Sequence, residues 1–156
     1  MDYSYEQLLA GDVDRFKLLL RVFGEAFNEL DTYVQAIPSD EYLRALLSKP
    51  HFIALAALDE GQRVVGGIAA YELEKFERDR REIYIYDLAV LESHRRRRVA
   101  TGLIRALRAI AQRRGAYVIF VQADHGDTPA IRLYESLGSK EDVHHFDISV
   151  PERGTL

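Results

Sequence analysis

EIYIYDLAVLESHRRRRVAT, residues 82–101, is the stretch from which the fold can be read. Ile83 to Val90 is apolar, β-branched and aromatic, the composition of a strand. The run stops at Leu91-Glu92-Ser93-His94, four arginines follow (Arg95 to Arg98), and an amphipathic pattern begins near Val99. A strand that ends in a basic turn and feeds a helix start is a place to hold a phosphorylated ligand. The first N–H groups of a helix have no internal acceptor and sit at the positive end of its dipole.

Outward from this stretch, Val99 to Arg114 carries Leu103, Ile104, Leu107 and Ile110 on one stripe, and Gly115 closes it. Tyr117 to Gln122 is an apolar run of the kind expected for a central parallel strand. Strand, helix and strand in this order predict a parallel crossover. Upstream, His51–Leu58 and Arg63–Leu73 predict two strands joined by the hairpin signal Asp59-Glu60-Gly61-Gln62. Asp12 is the expected N-cap of a helix bearing Val13, Phe16, Leu19, Leu20 and Phe23, interrupted by Gly24. Pro38-Ser39 opens a second helix, Asp40 to Leu47. Tyr3 to Leu8 predicts a short first strand and Phe76 to Arg81 a charged loop. Thr128-Pro129 starts a last helix that ends at Gly138, and alternation from Val143 to Val150 predicts a closing strand. With no linker or repeat, residues 1–156 are expected to form one domain of the α/β (α+β) class, a mixed sheet flanked by helices.

The composition is that of a soluble globular protein, 47% hydrophobic and 29% charged. There is no cysteine, which excludes disulfides, a thiolate nucleophile and thiolate metal sites. The five histidines form no metal pattern, and His144 and His145 point to opposite faces of a strand. No apolar run approaches the roughly 20 residues of a membrane span, and the first residues lack a signal-peptide pattern. A cytoplasmic protein with no membrane partner is expected. The net charge of −4 conceals an asymmetry, because His94 to Arg114 holds eight arginines and no acid. The other 13 basic residues are set against 25 acids, a balance of −12. One basic element on an acidic body suits an anionic ligand at one locus and a cationic one at another. Nucleic acid is disfavoured as a partner by most of this surface.

The order of elements resembles the GCN5-related N-acetyltransferase fold over nearly the whole chain, with a sheet that splays between its fourth and fifth strands. The family's pyrophosphate signature falls on Arg95-Arg96-Arg97-Arg98-Val99-Ala100, and Pro129 to Gly138 is similar to its second signature. Three strings closely resemble type I aminoglycoside 3-N-acetyltransferases: FIALAAL from Phe52, EIYIYDLAV from Glu82 and GAYVIFVQADHGD from Gly115. The resemblance implies acetyl-CoA as cofactor, with no metal. Its diphosphate would lie on the backbone amides of Arg95, Arg96, Arg97, Arg98, Val99, Ala100 and Thr101. The resemblance further implies that the backbone of Leu88, Ala89 and Val90 pairs with the pantetheine arm, and that Ala130 and Tyr134 contact the cofactor. Arg98 replaces the family's central glycine. It is expected to keep ordinary helical geometry with its side chain turned away, since a left-handed residue with a Cβ costs about 1–2 kcal/mol.

Simple alternation sets Ile83, Ile85, Asp87 and Ala89 on one face of their strand, and Tyr84, Tyr86, Leu88 and Val90 on the other. A carboxylate in such a strand is expensive unless paired or used. Asp87 is then either a structural residue satisfying a loop or bulge, or the group that meets a substrate ammonium and takes its proton. The resemblance favours the second reading and makes Tyr134 the candidate acid for the departing thiolate. Asp124 and Glu141 are the first choices for an anionic acceptor wall. Without a thiol nucleophile, direct transfer in a ternary complex is the simplest mechanism. The expected activity is acetylation of an aminoglycoside, at the 3-amino group of 2-deoxystreptamine, conferring resistance to the drug; a homodimer is possible. A polyamine or protein amine as acceptor, a non-catalytic acyl-CoA-binding regulator, and a nucleic-acid module using the arginine run are the competing readings.

Overall fold

The computed structural model describes residues 2–152; residues 1 and 153–156 of the expected single domain lie outside them. The chain falls into two compact units, residues 1–122 and 123–156. The first unit holds a five-stranded sheet in the order β1-β2-β3-β4-β5: β1 (Ser4–Leu8), β2 (Phe52–Leu58), β3 (Val64–Glu74), β4 (Arg81–Val90) and β5 (Ala116–Val121). Neighbours are antiparallel except β4 and β5, which run parallel across the crossover helix α3 (Val99–Arg114). A mixed sheet flanked by helices is the architecture expected from the sequence.

All seven residues of β2 are buried, because both of its faces are covered. Phe52, Ala54, Ala56 and Leu58 pack with Phe16, Leu19 and Phe23 of α1 (Val13–Ala26) and Leu43 and Leu47 of α2 (Asp40–Leu47). The alternate residues Ile53 and Leu55, with Ile68 of β3 and Ile83 of β4, form the opposite face, against which α3 lays its fully buried Leu103 and Leu107. Each such leucine contributes about 1.5–3 kcal/mol of burial. Gly115 caps α3 with φ of 71°, the left-handed conformation in which a glycine has no Cβ to clash. In the β2–β3 turn, Asp59 Oδ1 accepts from the Gly61 and Arg63 amides at 2.9 and 3.0 Å.

Three expectations are corrected. Gly24 does not interrupt α1, which continues to Ala26; instead it gives room to the segment that folds back on the helix. That segment contains a π-helical turn, Asp31–Gln35, with no counterpart in the sequence pattern. β5 is the last strand of the sheet rather than a central one, and Tyr117, Val118 and Phe120 are partly exposed. An apolar run reports strand-forming composition, not position. Residues 143–150 form no strand, and Val143, Phe146, Ile148 and Val150 are exposed. Alternation supplies an amphipathic edge but not a partner for it, and a strand exists only when paired.

Candidate active site

Two neighbouring features of the first unit make the site: the point where β4 leaves β5, and the N-terminus of α3. Pairing between β4 and β5 ends at Ile85 opposite Val121, while β4 continues beside β3 through Val90. From Tyr86 to Val90 the strand therefore has, among the described residues, a sheet partner on one side only. Leu88, Ala89 and Val90 lie in this stretch, where main-chain groups on the open side can take an extended ligand as an added strand. One of these groups is already used: Arg95 Nε donates to the Val90 carbonyl at 3.1 Å, so this guanidinium braces the loop to the strand.

At this point β4 carries a bulge. Ala69 faces Asp87 and Ala70 faces Ile85, leaving Tyr86 as the extra residue. The bulge reverses the parity of the strand, so simple alternation assigns the faces wrongly beyond Ile85. Asp87 and Ala89 pair with Ala69 and Gly67 on the α1 side, together with Tyr84, which pairs with Tyr71. Leu88 and Val90 fall on the α3 side with Ile83 and Ile85. Asp87 therefore leaves the isoleucine face for an aromatic one. Tyr86 lies 6.1 Å from Tyr71 and 5.8 Å from Tyr84 between ring centroids, and Tyr84 stacks on Phe120 at 4.9 Å.

Burial raises the pKa of the Asp87 carboxyl above the ordinary carboxylate value, a hydrogen bond from Tyr33 opposes the shift, and the nearby Glu29 adds to it. The donor is the Tyr33 hydroxyl, 3.0 Å from Asp87 Oδ2. Tyr33 lies in the π-helical turn, and no sequence signal marks it: residues 28–37 have neither a helical nor a strand period. The structure alone brings it to the site.

Beyond Val90, a 3₁₀ turn (Glu92–His94) buries His94, whose Nδ1 shares a hydrogen bond with the Tyr3 hydroxyl at 3.0 Å. Arg95 is extended, and Arg96 and Arg98 are left-handed, with φ of 60° and 62°. Arg98 thus departs from its expected helical geometry. It adopts a left-handed backbone that glycine takes without strain and accepts the strain of a Cβ, about 1–2 kcal/mol. Arg98 is the N-cap residue of α3, and its carbonyl takes the first intrahelical bond, from Gly102 N at 2.9 Å. Among the described residues, no side chain caps this helix start, so the amides of Val99, Ala100 and Thr101 are left for another acceptor. Left-handed turns of this kind build backbone N–H concavities that take anions. Beside them lies an open cleft of about 580 Å³ lined by Tyr5, Arg97, Arg98, Thr101 and Arg105. A bare helix start, a left-handed loop and guanidinium groups fit a diphosphate, and the open flank of β4 fits an extended arm.

The structure thus gathers Asp87 to Val90 and Arg95 to Thr101 in the first unit. Tyr134, Ala130, Asp124 and Glu141 belong to the second. There, α4 (Thr128–Glu135) starts on Asp127, whose Oδ1 accepts from the Ala130 amide at 3.2 Å, with Pro129 in the first turn. Burial and the nearby Asp127 push the Tyr134 hydroxyl up to about 12. Asp124 and Glu141 are exposed, and the Asp124 carbonyl accepts from the Asp127 amide at 3.0 Å. Among the described residues, no three histidine or acidic side chains are grouped to hold a metal ion, and no helix is long and apolar enough to cross a membrane.

Comparison with known proteins adds to this geometry. The pattern of the acetyltransferase (GNAT) family matches residues 16–138. The chain is similar to a crystal structure of an aminoglycoside acetyltransferase from an uncultured soil metagenomic sample, with 53% identity and a TM-score of 0.95 over 97% of this chain and 100% of that one. A second such acetyltransferase from an uncultured soil sample, solved with sisomicin, is 32% identical with a TM-score of 0.87, covering 96% of this chain and 97% of the other. N-acetyltransferase family 8 member 2 of Rattus norvegicus is 26% identical over 95 residues; the match covers 61% of this chain and 42% of that protein's length.

Proposed function

This chain belongs to the acetyltransferase (GNAT) family, and we propose that it acetylates an amino group of an aminoglycoside, the 3-amino group of 2-deoxystreptamine, in the cytoplasm. One observation carries the reading: the β4 bulge sets a half-buried carboxylate, Asp87, among tyrosines where the sheet opens. The soil acetyltransferases similar over nearly the whole chain support the substrate class. So does the site, because an ammonium is favoured both by a carboxylate and by the negative faces of aromatic rings.

Acetyl-CoA, when bound, supplies an acyl group activated as a thioester. The amides of Val99, Ala100 and Thr101 would hold its diphosphate, Arg97, Arg98 and Arg105 would add positive charge, and the open flank of Leu88–Val90 would take the arm. Asp87 orients the acceptor ammonium and takes its proton, since only the neutral amine can attack. A carboxyl group raised by burial is the better base for this. The nitrogen lone pair would then form the C–N bond as the C–S bond breaks, and that nitrogen's second proton would leave as the neutral amide forms, balancing the proton taken up by the departing thiolate. Tyr134, protonated at neutral pH and with its pKa raised further, would be the group to give the departing sulfur a hydrogen bond or a proton. With no cysteine to carry the acyl group, transfer is direct, in a ternary complex. Acetylation removes one positive charge from the drug and with it part of its hold on RNA phosphates, which would confer resistance. A homodimer belongs to this reading, supported by the exposed Phe146, Ile148 and Val150, which favour association.

A thiol-release assay with gentamicin-type, kanamycin-type and polyamine acceptors tests the proposal. Aminoglycosides should turn over, with the acetyl group on the 3-amino nitrogen by NMR. Asp87→Asn should lower kcat by about 10²–10⁴ without weakening acetyl-CoA binding. Thiol release with polyamines alone, or with no amine, would refute the substrate assignment.

A further inference from the structure

Asp87 has a partner that the mechanism above leaves without a role. Tyr33 lies 54 residues upstream, yet its hydroxyl donates to Asp87 Oδ2 at 3.0 Å, and among the described residues Asp87 Oδ1 accepts no hydrogen bond. We propose that Tyr33 is a positioning residue for Asp87: it engages one carboxylate oxygen and leaves the other for the acceptor ammonium. This rests on Asp87 being the base of the proposed reaction.

Three observations build the argument. First, the tyrosine is itself fixed. Its ring packs against Phe23 at 6.0 Å and Phe27 at 5.8 Å between centroids, and those two rings stack on each other at the end of α1. Second, the turn that carries it is fitted to the helix. Glu29 N donates to the Gly24 carbonyl at 2.8 Å, and a Cβ at Gly24 would meet Tyr33 Cβ at 3.1 Å and Leu30 Cα at 3.3 Å. Glycine there lets the π-helical turn lie close enough for the hydroxyl to span to β4. Third, among the described residues, the surroundings of Asp87 contain no cation. Tyr33 and Glu29 approach it from the turn, Tyr71 from β3, and Tyr84 and Tyr86 from β4 itself. All are neutral or acidic, so the Tyr33 hydroxyl is what stabilises the charged carboxylate before a substrate cation arrives.

Such a donor acts in two ways at once. It fixes the carboxylate rotamer, as a base must be fixed to meet a proton in flight. It also favours the ionised form, so the base stays charged over a wider range of pH despite its burial.

The test is the pH dependence of kcat for Tyr33→Phe, which keeps the ring packing and removes only the hydroxyl. The acid limb should move up by about 0.5–1 pH unit, with the plateau at high pH lowered less than about threefold and KM for acetyl-CoA unchanged. A ¹³C NMR titration of the labelled aspartates should show the same upward shift of Asp87 in the free protein, whatever the remaining activity. An unmoved limb, or a loss of rate equal at every pH, would overturn the proposal. If Asp87→Asn keeps both turnover and the acid limb, the assignment of the base fails instead. If Asp87→Asn abolishes the limb while Tyr33→Phe leaves it in place, the base stands and the positioning role falls.

Discussion

The Tyr5 ring of β1 lies against Gly102 in the first turn of α3, too close to admit a Cβ there. The two residues thus tie the sheet edge to the helix start that forms the anion site, and Tyr5 also lines the cleft beside Arg98. Gly102→Ala should therefore force the Tyr5 ring out of place. Overpacking of this kind costs about 1–3 kcal/mol, offset in part by the better helix propensity of alanine. Urea unfolding should show a net loss for Gly102→Ala that is absent in the Tyr5→Ala background. Equal losses in both backgrounds would mean that the ring is not the obstacle.

Arg98 offers a second measurement at the same helix start. With φ of 62°, it carries a strain that glycine does not. Arg98→Gly and Arg98→Ala both remove the guanidinium, but only glycine removes the Cβ. The glycine variant should be more stable than the alanine variant by about 1 kcal/mol, and acetyl-CoA affinity should differ less than tenfold between them. An alanine variant as stable as the glycine variant would show that residue 98 is not left-handed in solution.

These two residues illustrate what a sequence can and cannot disclose. The strand–basic turn–helix unit and both ends of α3 were legible, because composition, period and the closing Gly115 all mark them. The αL conformation of Arg98 was not, since an arginine carries no conformational flag and the expectation followed the average cost. The face of Asp87 was misassigned for a related reason: one extra residue, Tyr86, reverses parity, and nothing in YIYDLAV marks a bulge. Tyr33 lay beyond reach altogether, because its contact with Asp87 joins segments 54 residues apart through a turn without periodicity.

The raised pKa of Asp87 makes a prediction about rate. Protonation removes the base, so kcat should fall on the acid side with a midpoint above the ordinary carboxylate value of about 3.9. In Asp87→Asn that limb should vanish from whatever rate remains. A wild-type limb at or below the ordinary value would mean that Asp87 is solvated or that another group takes the proton.

Asp59 gives the opposite sign and a prediction about stability rather than rate. Its side chain is buried in the β2–β3 turn, accepting from the Gly61 and Arg63 amides and from Arg63 Nε at 2.8 Å. Hydrogen bonds from Arg63 lead the causes that hold its pKa below the ordinary carboxylate value. A depressed folded-state pKa adds stability that is fully present above the unfolded value, about 3.9, and is lost as pH falls through the folded one. Asp59→Asn has nearly the shape of the protonated carboxyl, so it should lower Tm by several degrees at pH 7. The gap to wild type should close as pH drops below 4. A gap that persists unchanged to pH 2.5 would mean that the turn depends on the shape of the side chain and not on its charge.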